Sequence, residues 1–201
     1  MSSAKEIFKE NLWTKNPIFM QVLGICSALA VTNLVTNTLV MTVGVTLVTA
    51  FSSFTVSLLK NFIPSRVRMI VQVLIIAFYV IIVDIILRAY APEISKSLGP
   101  YVGLIITNCI IMGRAEAFAL SNPPLLSFWD GATSGFGYMT VLMVIAIIRE
   151  LLGFGTLLGY PIVPEGFTPW TIMVTPPSAF FLLGTFVWIA KIILKKQGAE
   201  I

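Results

Sequence analysis

The sequence predicts an all-α membrane protein of six transmembrane helices, arranged as two inverted three-helix repeats, with the first and fourth helices interrupted near the bilayer midplane. Three observations carry this expectation. Apolar residues make up 57% of the 201-residue chain and charged residues only 11%, a balance foreign to water-soluble domains. Six apolar runs, at about 17–36, 39–59, 67–90, 100–120, 131–151 and 172–194, each approach the roughly 20 residues that a helix needs to cross a bilayer. The two cysteines, Cys26 and Cys109, occupy matching places in the first and fourth runs.

With so little polar sequence left over, the chain reads as a single polytopic domain, 1–201. Its net charge of +4 does not point to nucleic acid, because the 13 basic residues are scattered at the ends of apolar runs, where they orient spans.

Residues 4–13 read as a short interfacial helix with Ile7, Phe8 and Leu12 toward lipid. A cleavable signal peptide ending at Ala28-Leu29-Ala30 is disfavoured by Glu6 and Glu10 and by the five further spans. Turn residues punctuate the rest. Asn16-Pro17 opens the first span, Ile63-Pro64 separates the second from the third, and Gly99-Pro100 opens the fourth. Asn122-Pro123-Pro124 ends that span, and Pro176-Pro177 lies near the start of the sixth. The Gly- and Pro-rich segment 153–170 is the longest connection, a surface loop with Trp170 at headgroup level.

Six spans place both termini on one side. Lys5, Lys9, Lys15, Lys60, Arg66, Arg68, Lys191, Lys195 and Lys196 lie on that side, against Arg88, Lys96 and Arg149 on the other, with Arg114 set aside. This asymmetry predicts cytoplasmic termini.

Three spans plus three make the halves 1–95 and 96–201, and an odd number of crossings would invert one half relative to the other. Each half opens with a Pro-preceded, Gly-containing span bearing one cysteine, LGICSALAVTN and GLIITNCIIMG. Each continues with a span ending in a basic group, FTVSLLKNF and MVIAIIREL, and closes with a span ending in a cation, IILRAY and KIILKK.

In the second span, Thr42, Thr46, Thr49, Ser53 and Ser57 draw one polar stripe along a helix, and Gly131 and Gly135 form a G-x-x-x-G in the fifth. Close helix packing is the preferred reading of both, over an ion-lining stripe. Asp84 and Arg88 have the spacing of an ion pair, and Asp130 reads as an N-cap of the fifth span. Arg149 and Glu150 close that span at an interface. Arg114 and Glu116 read as lying at the cytoplasmic end of the fourth span, one docking a partner protein and one capping a loop.

A lone Cys in an apolar helix is usually a small buried hydrophobe. The pairing of Cys26 and Cys109 across the halves, beside Gly24 and Ser27 and beside Thr107 and Asn108, points instead to interrupted helices, where inverted repeats place ligands. Two thiolates attract a soft metal or an iron–sulfur cluster, but a [2Fe–2S] cluster wants four, so a partner chain would have to bring the other pair. The chain has no histidine, which removes the usual imidazole metal ligand and the commonest general base. GFGYM and GFGTLLG lack the context and third glycine of a dinucleotide fingerprint.

The segments LGICSALAVT, MTVGVTLVTAFSSFTVSLLKNFIPSRVRMIVQ, VGLIITNCIIMGRAEAFA and PPSAFF resemble, in order and spacing, the D-subunit family of the bacterial sodium-translocating NADH:quinone oxidoreductases. The E subunit of the related Rnf complex is similar at the second cysteine motif; SALAVT and the short 153–170 loop favour the sodium pump. The resemblance implies a multi-pass subunit of the bacterial inner membrane, not catalytic alone. Cys26 and Cys109 would supply two ligands to an intramembrane iron–sulfur centre, [2Fe–2S] in the preferred reading, that relays electrons. A sequence-related E subunit would supply the other two. The B, C and F subunits would complete the complex, with FAD, FMN and riboflavin carried by other subunits. A small inverted-repeat secondary transporter is the alternative that composition and topology leave open.

Overall fold

The computed structural model describes residues 18, 21, 23–64, 66–90, 92–158, 160–161 and 170–196. Helices α1 (Ile25–Val31), α2 (Val35–Leu59), α3 (Arg68–Tyr90), α4 (Pro92–Ile106) and α5 (Cys109–Arg114) follow in order. A single π-helical turn, Ala115–Ala119, continues α5. Then come α6 (Pro124–Gly153), a two-stranded hairpin of β1 (Thr156–Leu157) and β2 (Tyr160–Pro161), a 3-10 turn at Thr171–Val174, and α7 (Pro176–Lys196).

Among the described residues, five stretches are long and apolar enough to cross a membrane: Val35–Leu59, Arg68–Tyr90, Tyr101–Ala119, Pro124–Gly153 and Pro176–Ile193. The chain is therefore a multi-pass, all-helical membrane protein. Of the first expected span, only α1 is described as helix, and its 7 residues are too few to cross alone. The interfacial helix expected at 4–13, the lysines at 5, 9 and 15, and half of the 153–170 loop lie outside the described residues.

Three boundaries differ from the sequence reading. α2 begins at Val35, because residues 32–34 already break the chain after α1. α4 begins at Pro92 and runs through Gly99-Pro100, since a proline with its missing N–H suits the first helical turn. α6 begins at Pro124, also a first-turn proline, which puts Asp130 inside the helix rather than at its N-cap; the cap position is Pro123.

The core is a seam between α2 and α6, which run antiparallel. Near the start of α2, the Val35 N–H donates to Glu150 Oε2, close to the end of α6, at 2.7 Å. At the other end, Ser57 Oγ and Lys60 Nζ both donate to the Asn122 carbonyl just before α6, at 2.6 and 3.0 Å. The seam closes because α6 presents glycine where α2 presents backbone. A Cβ on Gly131 would lie 2.8 Å from the Thr49 carbonyl oxygen, and one on Gly135 would lie 2.7 Å from Thr46 Cα. The threonine stripe satisfies itself on its own helix. Thr42, Thr46 and Thr49 donate to the carbonyls of Thr38, Thr42 and Val45 at 2.8, 2.7 and 2.6 Å. Close packing within the chain is thus what the stripe and the G-x-x-x-G accomplish. Around this seam, α3 and α7 turn large apolar side chains outward, among them Ile70, Leu74, Phe78, Phe181 and Trp188, as lipid-facing helices do.

Candidate functional site: two helix starts that meet

Each cysteine stands at the start of a short helix, Cys26 behind a turn at Gly24 and Cys109 behind a gap between α4 and α5. Gly24 precedes α1 in the left-handed conformation, φ 82°, which only glycine adopts without strain. It also has no room for a side chain: a Cβ would stand 2.7 Å from Ile110 Cδ1 and 2.8 Å from the Tyr138 ring. Cys26 is the second residue of α1. The other break falls at Thr107 and Asn108, between α4 and α5. Asn108 is extended, and its Oδ1 accepts the Ile110 N–H at 3.1 Å, an N-cap that satisfies one of the free donors of the new helix. Cys109 is the first residue of α5.

The two breaks touch. The Gly24 N–H donates to Cys109 Sγ at 2.9 Å, across 85 residues of sequence. Asn108 Nδ2 donates to Ser27 Oγ at 3.4 Å, and Ser27 Oγ in turn donates to the Gly24 carbonyl at 3.0 Å. The hydroxyl of Tyr138, a fully buried residue of α6, bonds to the same Ser27 oxygen. Both cysteines are free thiols, Cys26 exposed and Cys109 partly exposed, so another chain can reach them.

Buried charges anchor both short helices to α6. Arg114, at the end of α5, forks onto Asp130, Nε to Oδ2 at 2.9 Å and Nη2 to Oδ1, with both side chains almost fully buried. Its guanidinium also lies 5.8 Å from the centroid of the Phe118 ring. This corrects the expectation that Arg114 docks a partner protein and that Asp130 caps a helix: desolvated charges need each other, and they meet within the chain. Glu116 caps no loop either. It pairs with Arg68 and accepts from Gln72 Nε2 at 3.0 Å, joining the π turn to α3.

Arg149 and Glu150 lie close to the end of α6, as their sequence position suggests, and both are buried within the chain, 1% exposed. Arg149 donates to Thr32 Oγ1 at 2.6 Å, just past α1, and to the carbonyls of Met173, Val174 and Thr175 before α7. The Asp84–Arg88 pair forms as its spacing implies, at 2.9 Å.

Neither Tyr138 nor the role of Ser27 emerges from the sequence. The one signal for it is a tyrosine in the middle of an apolar span, far from the headgroup belts where tyrosine is usual. As to a metal, no group of three or more His, Cys, Asp or Glu side chains that could hold one exists among the described residues. Two thiols match in number half of a four-thiolate set, and the Gly24 N–H aimed at Cys109 Sγ is a donor of the kind found on the sulfurs of such sets.

Residues 4–187 match the family described as Rnf-Nqr subunit, membrane protein. Similar curated proteins include one of Pseudoalteromonas translucida (strain TAC 125), 52% identical over 187 residues, covering 90% of this chain and 89% of the relative. Another, of Yersinia enterocolitica serotype O:8 / biotype 1B, is 53% identical over 196 residues, 94% of each chain. A third, of Yersinia pestis (strain Pestoides F), is 52% identical over 196 residues, again 94% of each. All three are named as the D subunit of a Na(+)-translocating NADH-quinone reductase.

Proposed function

The chain belongs to the Rnf-Nqr family of membrane subunits, and from that premise we propose that it is the D subunit of a sodium-translocating NADH:quinone oxidoreductase whose Cys26 and Cys109 give two ligands to an intramembrane iron–sulfur centre. The centre, a [2Fe–2S] cluster in this reading, is shared with the sequence-related E subunit, which supplies the remaining two thiolates. When bound, it supplies one-electron transfer inside the membrane, and thereby supports sodium pumping by the whole complex. The B, C and F subunits are further partners, and the flavins reside on other subunits.

The observation that carries this reading is the Gly24 N–H to Cys109 Sγ contact, which draws the two cysteine-bearing breaks together although they lie in different halves of the chain. Electron relay needs rigid placement of the ligands, and the breaks provide it. Each thiol sits on the first turn of a helix whose start is fixed, by glycine conformation at one and by an asparagine cap at the other. The exposure of Cys26 and the partial exposure of Cys109 suit a centre completed from outside.

The inverted repeat belongs to the same proposal. Its support is the antiparallel α2–α6 seam, in which the end of each long helix bonds to the segment that starts the other. In this arrangement the breaks lie near the midplane of the bacterial inner membrane, with both termini cytoplasmic.

The test is iron content, visible spectra and EPR on the purified complex, comparing wild type with Cys26→Ser and Cys109→Ser. Each variant is expected to assemble, lose one iron–sulfur signal and stop NADH-driven quinone reduction. Unchanged iron and electron flow in both variants would reduce the cysteines to packing residues and end this reading.

A further inference from the structure

We infer that Ser27 and Tyr138 are positioning residues that set the reduction potential of the centre at Cys109, acting through the Gly24 peptide group; the inference rests on the reading of the cysteines as ligands given above.

The hydrogen-bond polarity is fixed by counting. A serine hydroxyl has one hydrogen and two acceptor sites. Ser27 Oγ places its hydrogen on the Gly24 carbonyl at 3.0 Å, so the Tyr138 hydroxyl must be the donor in their mutual contact, and Asn108 Nδ2 donates to the remaining lone pair at 3.4 Å. All three positions on Ser27 Oγ are then filled. Order runs in one direction, from the Tyr138 O–H to the Ser27 O–H to the Gly24 carbonyl.

Gly24 ends that chain and faces the sulfur. Its carbonyl accepts Ser27 Oγ and also the Ala28 N–H at 3.2 Å, while the Tyr138 ring and Ile110 press where a Cβ would be. Held from these sides in its left-handed conformation, Gly24 aims its N–H at Cys109 Sγ at 2.9 Å. The sulfur seen here stands for the thiolate that would bind iron. A donor on such a sulfur favours the state with more negative charge, which is the reduced one, and so raises the potential. Loosening Gly24 weakens that donation and lowers it.

Tyr138→Phe keeps the ring and removes only the hydroxyl, whereas Ser27→Ala removes the link to the Gly24 carbonyl itself. Redox titration of the EPR signal in the purified complex, with iron content alongside, reads the result. Iron and assembly are expected to stay at wild-type levels in both. Ser27→Ala is expected to shift the potential negatively by about tenfold in the ratio of oxidised to reduced centre, ~59 mV for a one-electron couple. Tyr138→Phe should shift it less. Because the residues act in series, the double variant should shift no further than Ser27→Ala alone.

Unshifted potential and line shape with iron retained in both single variants, or strictly additive shifts, would overturn this inference while leaving the ligand reading in place. If Ser27→Ala fails to assemble, the shift or its absence in Tyr138→Phe decides. Retention of the signal in Cys109→Ser would overturn the ligand reading and this inference together.

Discussion

Before Cys26 the chain turns through a glycine; before Cys109 it turns through an asparagine. Gly24 works by lacking a side chain, since its φ of 82° and its contacts with Ile110 and Tyr138 leave no place for one. Asn108 works by having one, since its Oδ1 replaces the missing acceptor for the Ile110 N–H. The thiols differ in the same way. Cys109 is partly buried and takes a hydrogen bond from Gly24, while Cys26 is exposed. Two positions that serve one proposed centre are thus built from opposite means. The second is fixed from within the chain, and the first presents its thiol to whatever covers that face.

The anchors behind the breaks also differ, and this gives the largest expected effect. α5 ends in a charged pair, Arg114 with Asp130, whereas the segment after α1 is tied by Arg149 to a neutral hydroxyl, Thr32 Oγ1. Removing one member of a buried pair leaves an uncompensated charge, at about 3–5 kcal/mol. Arg114→Ala and Asp130→Ala are each expected to lower the unfolding midpoint and yield of the complex by similar amounts. A double change to leucines should recover much of the loss, because apolar residues of similar volume carry no desolvation cost. Equal stability of Arg114→Ala and wild type would mean that the pair does not anchor α5.

Next comes Gly24→Ala. The left-handed conformation costs an L-residue roughly 1–2 kcal/mol, and forcing a methyl into a space 2.7–2.8 Å from its neighbours adds a further overpacking cost, so ~2–4 kcal/mol together is expected. Thermal unfolding of the complex measures this. A loss well under 1 kcal/mol would show that the break relaxes to another conformation, and that Gly24 is not what holds α1 against α5.

How much of this the sequence discloses follows from the range of each interaction. Five of the six expected spans, the Asp84–Arg88 pair and the small-residue packing stripe are legible because each depends on period or on spacing within one helix. The gap between α4 and α5 is legible too, since Thr107-Asn108 is a local signal, as is the helix start marked by Gly24. Arg114, Asp130, Arg149 and Glu150 read as helix-end residues because charges in an apolar chain are expected at the surface. Their partners, 16 to 117 residues away in sequence, cannot be inferred from spacing. The same holds for Tyr138, whose hydroxyl meets Ser27 at a separation of 111 residues. Helix starts differ from expectation where a proline pair or a Gly-Pro step looks like a boundary, although proline fits a first turn and a membrane helix tolerates one further in.

The smallest effect separates the two breaks most cleanly. Asn108→Ala removes an N-cap and should cost about 1 kcal/mol. It also deletes the Nδ2 donor to Ser27, so the loss alone does not say which bond matters. Asn108→Ser keeps an oxygen able to accept the Ile110 N–H but supplies no amide donor. If the cap dominates, Asn108→Ser should return to within a few tenths of a kcal/mol of wild type in the same unfolding experiment, because serine and asparagine cap comparably. If it remains as unstable as Asn108→Ala, the break before Cys109 is held by the contact across to Ser27 instead. No such rescue exists at the other break, where every side chain, serine included, brings the Cβ that Gly24 has no room for.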